Sequence, residues 1–266
     1  MVSKPSALDL SAEPNIDSTP NLARFFPEVR AGGFTRIDGT IEFYTRVNAL
    51  LSPEMTVVDF GAGRGAAFHD DSCSYRRSLR RLRGKVAKVI GVDIDSVIVQ
   101  NPGLDEAHTV AVNDPIPLPD ASVDLIISDF TFEHVSDPVR CAAELERILK
   151  PDGWLCARTP NRWSYVALAS AVIPNSLHAR VLRRVQPGRK SSDVFPAYYR
   201  MNDLRTMRRL FPADRFSDAS YTFSPEPAYL PKSTFAWALA LLLESLYPAA
   251  LRTNLFVFLQ KRSIII

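Results

Sequence analysis

The feature that most constrains the fold is a short apolar strand that runs directly into a glycine turn. Thr56–Phe60 is apolar and β-branched, and glycines at 61, 63 and 65 follow it at once. Such a run ending at glycine is typical of a buried strand. Glycine lets backbone N–H groups approach a ligand where a Cβ would block it, and a following helix N-terminus favours negative groups. The segment therefore predicts a ligand-binding turn at the carboxyl end of a buried strand.

Strand-like and helix-like segments alternate on both sides of this turn. Such alternation predicts βαβ units, which build a parallel sheet with both faces covered, so the expected fold class is α/β. The apolar patterns predict helices over 34–51, 138–149, 202–210 and 233–246. They predict further strands over 86–92, 109–112, 123–128, 154–158, 218–223 and 254–259.

Length and composition favour one globular domain. The chain has 266 residues, of which 46% are hydrophobic and 23% are charged, and this composition excludes a disordered chain. Three cysteines are too few for a disulfide scaffold, and we expect a cytoplasmic protein. Residues 1–20 read as a disordered leader, and 21–266 as a single domain in which 162–200 is an inserted lid. The apolar run 235–243 is about half the length that a membrane span requires.

Aspartates stand at the predicted strand ends. Asp93 follows the second strand, where a carboxylate can accept hydrogen bonds from both hydroxyls of a ribose. Asp59 and Asp129 belong to the first and fourth strands. One such aspartate often only caps the next helix, but several at consecutive strand ends favour a ligand site. The glycine spacing is GxGxG, with Ala66 where a dinucleotide fingerprint would have glycine, and this spacing counts against an NAD-binding domain.

Four motifs carry a family resemblance: VVDFGAGRG (57–65), VIGVDID (89–95), PDASVDLIISDFTFEHVSDP (119–138) and LKPDGWLCARTPN (149–161). They resemble the ordered motifs of class I S-adenosylmethionine-dependent methyltransferases, within the methyltransferase-11 branch that includes ubiquinone-type O-methyltransferases. The resemblance implies a Rossmann-like fold with a seven-stranded, mostly parallel sheet and helices on both faces. It implies an enzyme that uses S-adenosyl-L-methionine.

The same resemblance implies which residues hold the cofactor. The glycine turn would wrap the methionine part, and Asp93 would hold the ribose. Ile94 would pack on the adenine, whose amino group would meet Asn113 or Asp114, and the register between these two stays open. The implied cofactor-binding residues are Asp59, Gly61, Ala62, Gly63, Gly65, Asp93, Ile94, Asn113, Asp114, Asp129, Phe130 and Thr131.

Candidate catalytic and substrate residues come from the chemistry of methyl transfer. A base is required when the nucleophile carries a proton, and His134 is the candidate. The resemblance implies that Asp129, the second catalytic candidate, lies beside the reacting sulfur. His134 as a helix-start residue making one hydrogen bond is an equal alternative. Phe130 replaces the first glutamate of the ExxEH arrangement with which some relatives hold a metal, so no metal is expected. Candidate substrate residues are Tyr44 and Arg46 on the leading helix, and Trp163, Tyr198 and Tyr199 in the insertion.

The net charge of the chain is only +3, but its basic residues form two local clusters. The insertion mixes arginines with aromatic and apolar residues, which suits an amphiphilic anionic acceptor or a membrane surface, although a solvated helix face remains an alternative. The second cluster, over 76–88, is interpreted as solvated surface, with RNA binding as the alternative and no DNA binding expected. We expect methylation at oxygen of a small-molecule, lipidic or glycan acceptor. The alternatives are a catalytically silent binding protein and an RNA methyltransferase.

Overall fold

One mixed β-sheet forms the centre of the molecule. The computed structural model describes residues 20–164, 196–227 and 233–263. The strands are β1 (Thr56–Phe60), β2 (Lys88–Asp93), β3 (Glu106–Thr109), β4 (Val123–Asp129), β5 (Leu149–Pro160), β6 (Phe216–Asp218), β7 (Tyr221–Phe223) and β8 (Asn254–Lys261). The sheet has the order β3-β2-β1-β4-β5-β8-β6, with β7 also paired to β8. The first five strands are parallel and β8 runs antiparallel to β5.

The described residues form eight strands rather than the predicted seven, because the strand expected over 218–223 is split. Both halves, β6 and β7, pair antiparallel with β8. Between them the backbone N–H of Ser220 donates to the Asp218 carboxylate (2.8 Å), while the Ser220 hydroxyl accepts from the backbone N–H of Phe258 (3.1 Å). Side chains thus replace ladder hydrogen bonds at this point. The two short strands occupy one position in the sheet.

Capping side chains decide where the main helices begin. The Asp38 carboxylate accepts from the backbone N–H groups of Thr40 (2.8 Å) and Ile41 (2.9 Å), so the helix predicted from residue 34 begins at Gly39. Asp137 caps the next long helix in the same way, with Pro138 in its first turn. The helices are α1 (Pro20–Phe25), α2 (Gly39–Leu50), α3 (Ala66–Asp70), α4 (Ser74–Arg80), α5 (Pro138–Ile148), α6 (Leu204–Leu210) and α7 (Thr234–Leu246).

The strand predicted over 109–112 was wrong in position. β3 ends at Thr109, where the predicted strand begins. The N–H of Val110 still donates to the carbonyl of Asp93 (2.9 Å), but Asn113 has a positive φ of 65°. The chain therefore leaves the sheet in a turn after Val110, because a left-handed residue cannot continue a strand.

Helices cover both faces of the sheet. Consecutive strand residues point to opposite faces, so Val57 and Val58 belong to different apolar clusters. Val58 lies in the cluster that contains Leu145 of α5, and Val57 in the cluster that contains Phe43 of α2. This two-sided burial confirms the expected α/β architecture.

α7 is the most apolar helix of the described chain. Trp237 is buried and stacks on Phe25 of α1, with ring centroids 6.1 Å apart. Phe235, Leu242 and Leu246 on the same helix are exposed. Across the described ranges, no helix combines the length and the apolar character that crossing a bilayer would require.

Candidate active site

The glycine turn after β1 has a backbone that only glycine adopts readily. Gly61, Gly63 and Gly65 have φ values of +81°, +50° and +70°. A Cβ at Gly61 would lie 2.1 Å from the Thr131 hydroxyl, and one at Gly65 would lie 2.5 Å from the amide oxygen of Asn101. A Cβ at Gly63 would meet no atom of the described residues within 4 Å. Among these residues, the turn is therefore tightly packed at its two ends and borders open space at its centre.

Asn101 supports the backbone of this turn, a role that no sequence motif indicated. Its side-chain amide donates to the carbonyls of Ala62 (2.9 Å) and Gly63 (3.2 Å). Its amide oxygen accepts from the backbone N–H of Gly103 (2.9 Å). The Asn-Pro-Gly sequence that begins at Asn101 signals a turn, but not a contact with a loop 38 residues earlier.

Asp93 lies beside the centre of the turn, as expected. One of its carboxylate oxygens accepts from the backbone N–H of Gly63 (2.8 Å), and the other accepts from the backbone N–H of Asp95 (2.9 Å). Each carboxylate oxygen can accept more than one hydrogen bond, so both retain capacity for a ligand. The neighbouring Ile94 is 49% exposed, which leaves an apolar surface next to the carboxylate.

Asn113 and Asp114 lie in the turn that follows β3. Both are exposed, and the N–H of Asp114 donates to the carbonyl of Ala111 (3.0 Å). Which of the two meets the adenine stays a prediction.

A buried ion cluster surrounds Asp129 at the end of β4. Arg158 of β5 donates through Nε to Asp129 Oδ1 (2.7 Å) and through Nη2 to Oδ2 (2.8 Å). Arg80 of α4 donates to the same Oδ2 (3.0 Å), and the Tyr44 hydroxyl lies 3.3 Å from it. Burial alone would raise the pKa of Asp129, but the charges of Arg158 and Arg80 outweigh it and hold that pKa below its ordinary value.

The interpretation of residues 76–88 as solvated surface was wrong for Arg76 and Arg80. Arg76 forms ion pairs with Asp38 and Asp71, each at 2.8 Å, and Arg80 pairs with Asp129. Residues 71–73 separate the short helices α3 and α4, and α4 packs on α2. This packing directs one face of α4 toward the carboxyl edge of the sheet, rather than toward solvent.

The two substrate candidates on α2, Tyr44 and Arg46, have different partners. Tyr44 is buried and reaches Asp129, and burial raises the pKa of its hydroxyl far above the ordinary value, so that it stays protonated. Arg46 instead bonds to the hydroxyl of Tyr221 (2.8 Å) and to Glu42 (2.9 Å). Of this pair, the structure brings Tyr44 to the ion cluster.

Asp59 lies on β1 next to the glycine turn. Burial raises the pKa of its carboxyl group to about 7, with the negative charge of Asp129 adding to the effect and Arg80 opposing it. Near neutral pH the group is therefore only partly ionised. A cation bound beside it would favour the ionised form.

Phe130 and Thr131 form the wall beside the turn. Phe130 has φ 57° and is 40% exposed, and the Arg158 guanidinium lies 4.7 Å from its ring centroid. Thr131 packs against Gly61. Within the described ranges, no group of three or more His, Cys, Asp or Glu side chains could hold a metal ion.

His134 follows directly on a buried glutamate. Its Nδ1 lies 2.9 Å from the carbonyl of Pro196, which can only accept, so Nδ1 carries the proton and Nε2 of the neutral ring is the acceptor. Glu133 accepts from the Thr159 hydroxyl (2.9 Å), and burial raises its pKa. His134 Nε2 lies 4.0 Å from the Glu133 carboxylate.

The C-terminal end of the insertion contacts Glu133. The backbone N–H groups of Tyr198 and Tyr199 donate to the carbonyl of Glu133 (2.7 and 3.1 Å). At the near end, Trp163 is exposed, with the Arg162 guanidinium 5.1 Å from its ring centroid. Residues 165–195, which contain most of the predicted lid and its basic cluster, lie outside the described residues.

Comparison with known proteins finds methyltransferase domains among the relatives of this chain. Residues 58–157 match the family model described as a methyltransferase domain. The chain is 32% identical over 104 residues to a Mycolicibacterium smegmatis protein named as a probable S-adenosylmethionine-dependent methyltransferase, covering 37% of this chain and 39% of that protein. It is 30% identical over 138 residues to a malonyl-[acyl-carrier protein] O-methyltransferase of Methylovorus sp., covering 50% and 46%. The matches thus span less than half of these relatives.

Solved structures show the fold. A SAM-dependent methyltransferase from Thermotoga maritima matches with a TM-score of 0.50 at 16% identity, covering 92% of this chain and 97% of that one. A second structure, of a protein from Galdieria sulphuraria, matches with a TM-score of 0.50 at 19% identity, covering 84% of this chain and 85% of that one. Together with the sheet topology, these similarities confirm the fold predicted from the four motifs.

Proposed function

We propose that this chain, which carries a class I S-adenosylmethionine-dependent methyltransferase domain, transfers a methyl group from S-adenosylmethionine to an oxygen atom of its acceptor. The observation that carries the proposal is the centre of the glycine turn. There Gly63 borders space that the described residues leave open, and it donates its N–H to Asp93, whose carboxylate retains hydrogen-bonding capacity. A ribose placed in this space would meet the carboxylate at the strand end.

The residues around this space fit the rest of the cofactor. Asp59 offers a carboxyl group that a neighbouring cation would ionise, which suits the ammonium end of the methionine part. The exposed side chain of Ile94 offers an apolar surface for the adenine. The cofactor supplies an electrophilic methyl group on a positively charged sulfur.

The protein's own task is to hold the nucleophile in line and to remove its proton. A hydroxyl nucleophile needs a base, and His134 Nε2 fits because Nδ1 is committed to the Pro196 carbonyl. Asp129 suits a base less well, since its oxygens accept from Arg158 and Arg80 and its pKa is lowered. We therefore assign Asp129 the task of orienting these cations beside the reacting groups.

The acceptor class is proposed from one relative and from the aromatic side chains of the insertion. The Methylovorus relative is named as an O-methyltransferase, and this likeness covers 46% of that protein. Aromatic side chains at 163, 198 and 199 suit a small-molecule, lipidic or glycan acceptor. An amphiphilic anionic acceptor, contact with a membrane surface and a cytoplasmic location stay predictions.

Binding of S-adenosylhomocysteine, measured by calorimetry, tests the proposal. We expect the wild type to bind it, and Asp93→Ala to bind about tenfold more weakly or worse, because the variant loses the paired acceptor for the ribose. Stabilisation by NAD without stabilisation by S-adenosylhomocysteine would refute the cofactor assignment. Methyl-tritiated cofactor added to cell extract, followed by separation into lipid, glycan and RNA fractions, then identifies the acceptor. Binding of the cofactor without transfer to any fraction would favour a catalytically silent protein.

A further inference from the structure

Hydrogen-bond donors outnumber acceptors in the ion cluster around Asp129. Asp129 Oδ2 faces three donors, which are Arg158, Arg80 and Tyr44. The hydroxyl of Thr40 also accepts from both guanidinium groups, at 3.0 Å from Arg158 and 3.4 Å from Arg80. Within the described residues, the two guanidinium groups carry ten N–H groups, and their hydrogen bonds go to one carboxylate and one hydroxyl.

One donor in this cluster has no partner among the described residues. Arg80 Nε is buried and makes no hydrogen bond with any of them. A buried donor without a partner is costly, and in a native structure it calls for a water or a ligand. The Arg80 side chain is 20% exposed and that of Arg158 is 4% exposed, so Arg80 is the more accessible of the two cations.

Other charged groups do not cancel this excess of donors. The negative charge of Asp71 also favours the charged form of Arg80. The Asp71 carboxylate, however, already accepts hydrogen bonds from Arg76 and from the backbone N–H of Cys73. Asp59 acts on Arg80 as well, although its raised pKa leaves it only partly ionised near neutrality. The edge of the sheet is therefore bipolar, with carboxyl groups on β1 and β2 and two arginines beside β4.

We propose that Arg80, supported by Arg158 and Asp129, binds a carboxylate through its partly exposed guanidinium side chain. A guanidinium presents parallel N–H groups that match the two oxygens of a carboxylate. The carboxylate belongs either to the amino-acid end of the cofactor or to the acceptor. The inference rests on the proposed function, since it uses the same site.

The test compares Arg80→Met with the wild type by calorimetry, using three probes. They are S-adenosylhomocysteine, 5′-methylthioadenosine, which lacks the amino-acid end, and malonate added to the S-adenosylhomocysteine complex. Arg81→Met is the matched control, because Arg81 is adjacent in sequence, exposed, and stacked over the Phe68 ring at 5.1 Å. Arg80→Gln serves in the same comparisons if the Met variant does not fold.

The outcomes separate the two sources of the carboxylate. If Arg80 holds the cofactor, Arg80→Met weakens S-adenosylhomocysteine binding about tenfold or more, and 5′-methylthioadenosine binding by less than about twofold. If Arg80 holds the acceptor, both nucleosides bind as before and malonate binding is lost. Unchanged affinity for all three probes overturns the inference, and so does an equal loss for the two nucleosides. Failure of the wild type to bind S-adenosylhomocysteine refutes the proposed function instead.

Discussion

Replacing Asp59 with asparagine should remove a pH-dependent loss of stability. Burial raises the pKa of this carboxyl group from 3.8 to about 7 in the folded protein. The folded state therefore binds the proton more tightly than the unfolded state. The resulting stabilisation is fully present below pH 3.8 and is lost as the pH rises to about 7.

The magnitude follows from this shift. One pKa unit corresponds to about 1.4 kcal/mol, so ionisation of Asp59 between about pH 5.5 and pH 8 costs the folded state about 2 kcal/mol. The Asp59→Asn variant lacks this contribution. Relative to the wild type, we expect the variant to be about 2 kcal/mol more stable at pH 8 than at pH 5.5.

Urea unfolding at the two pH values, followed by circular dichroism, measures this difference in the cofactor-free protein. Other carboxyl groups with raised pKa values, such as Glu133 and Glu226, titrate in both proteins and cancel in the comparison. Asp214→Asn removes an exposed carboxylate and should leave the pH dependence of stability as in the wild type. Parallel pH dependence in the wild type and Asp59→Asn would refute the assignment of the raised pKa.

Three further predictions concern the proposed active site. Because a bound sulfonium or ammonium favours ionised Asp59, S-adenosylmethionine should bind up to about tenfold more tightly at pH 8 than at pH 6, and calorimetry on Asp59→Asn should show no such gain. His134→Ala should lower turnover by about 100-fold or more while S-adenosylhomocysteine affinity is retained, whereas unaltered turnover would exclude this base. Asn101→Ala removes two hydrogen bonds that hold the glycine turn and should weaken S-adenosylhomocysteine binding about tenfold, so equal affinity would show that the turn holds its shape without them.

Much of the fold could be predicted because its signals are local. An apolar run of a few residues is enough to mark a buried strand, and β1 has the bounds read from the sequence. The capped helix that begins at Pro138 was likewise found within a residue. The pattern of apolar residues does not indicate where a side chain replaces a strand hydrogen bond, as the Ser220 hydroxyl does between β6 and β7.

The cofactor side of the site was also predictable for a local reason. Glycines at 61, 63 and 65 and an aspartate at a strand end specify a turn and an acceptor within their own segments. Parallel strands bring these segments to one edge of the sheet, so Gly63 and Asp93 meet although 30 residues separate them. Topology alone is sufficient to join them.

The sequence by itself thus determined the α/β sheet, the glycine turn and the position of Asp93. Only the tertiary structure decided that Arg80 and Arg158 meet at Asp129, across separations of 49 and 29 residues. A short helix rich in arginine has no apolar face that tells which side will be buried, and packing against α2 makes that choice. Once buried, a cation needs a partner, and the partner that packing brings within reach of Arg80 is Asp129.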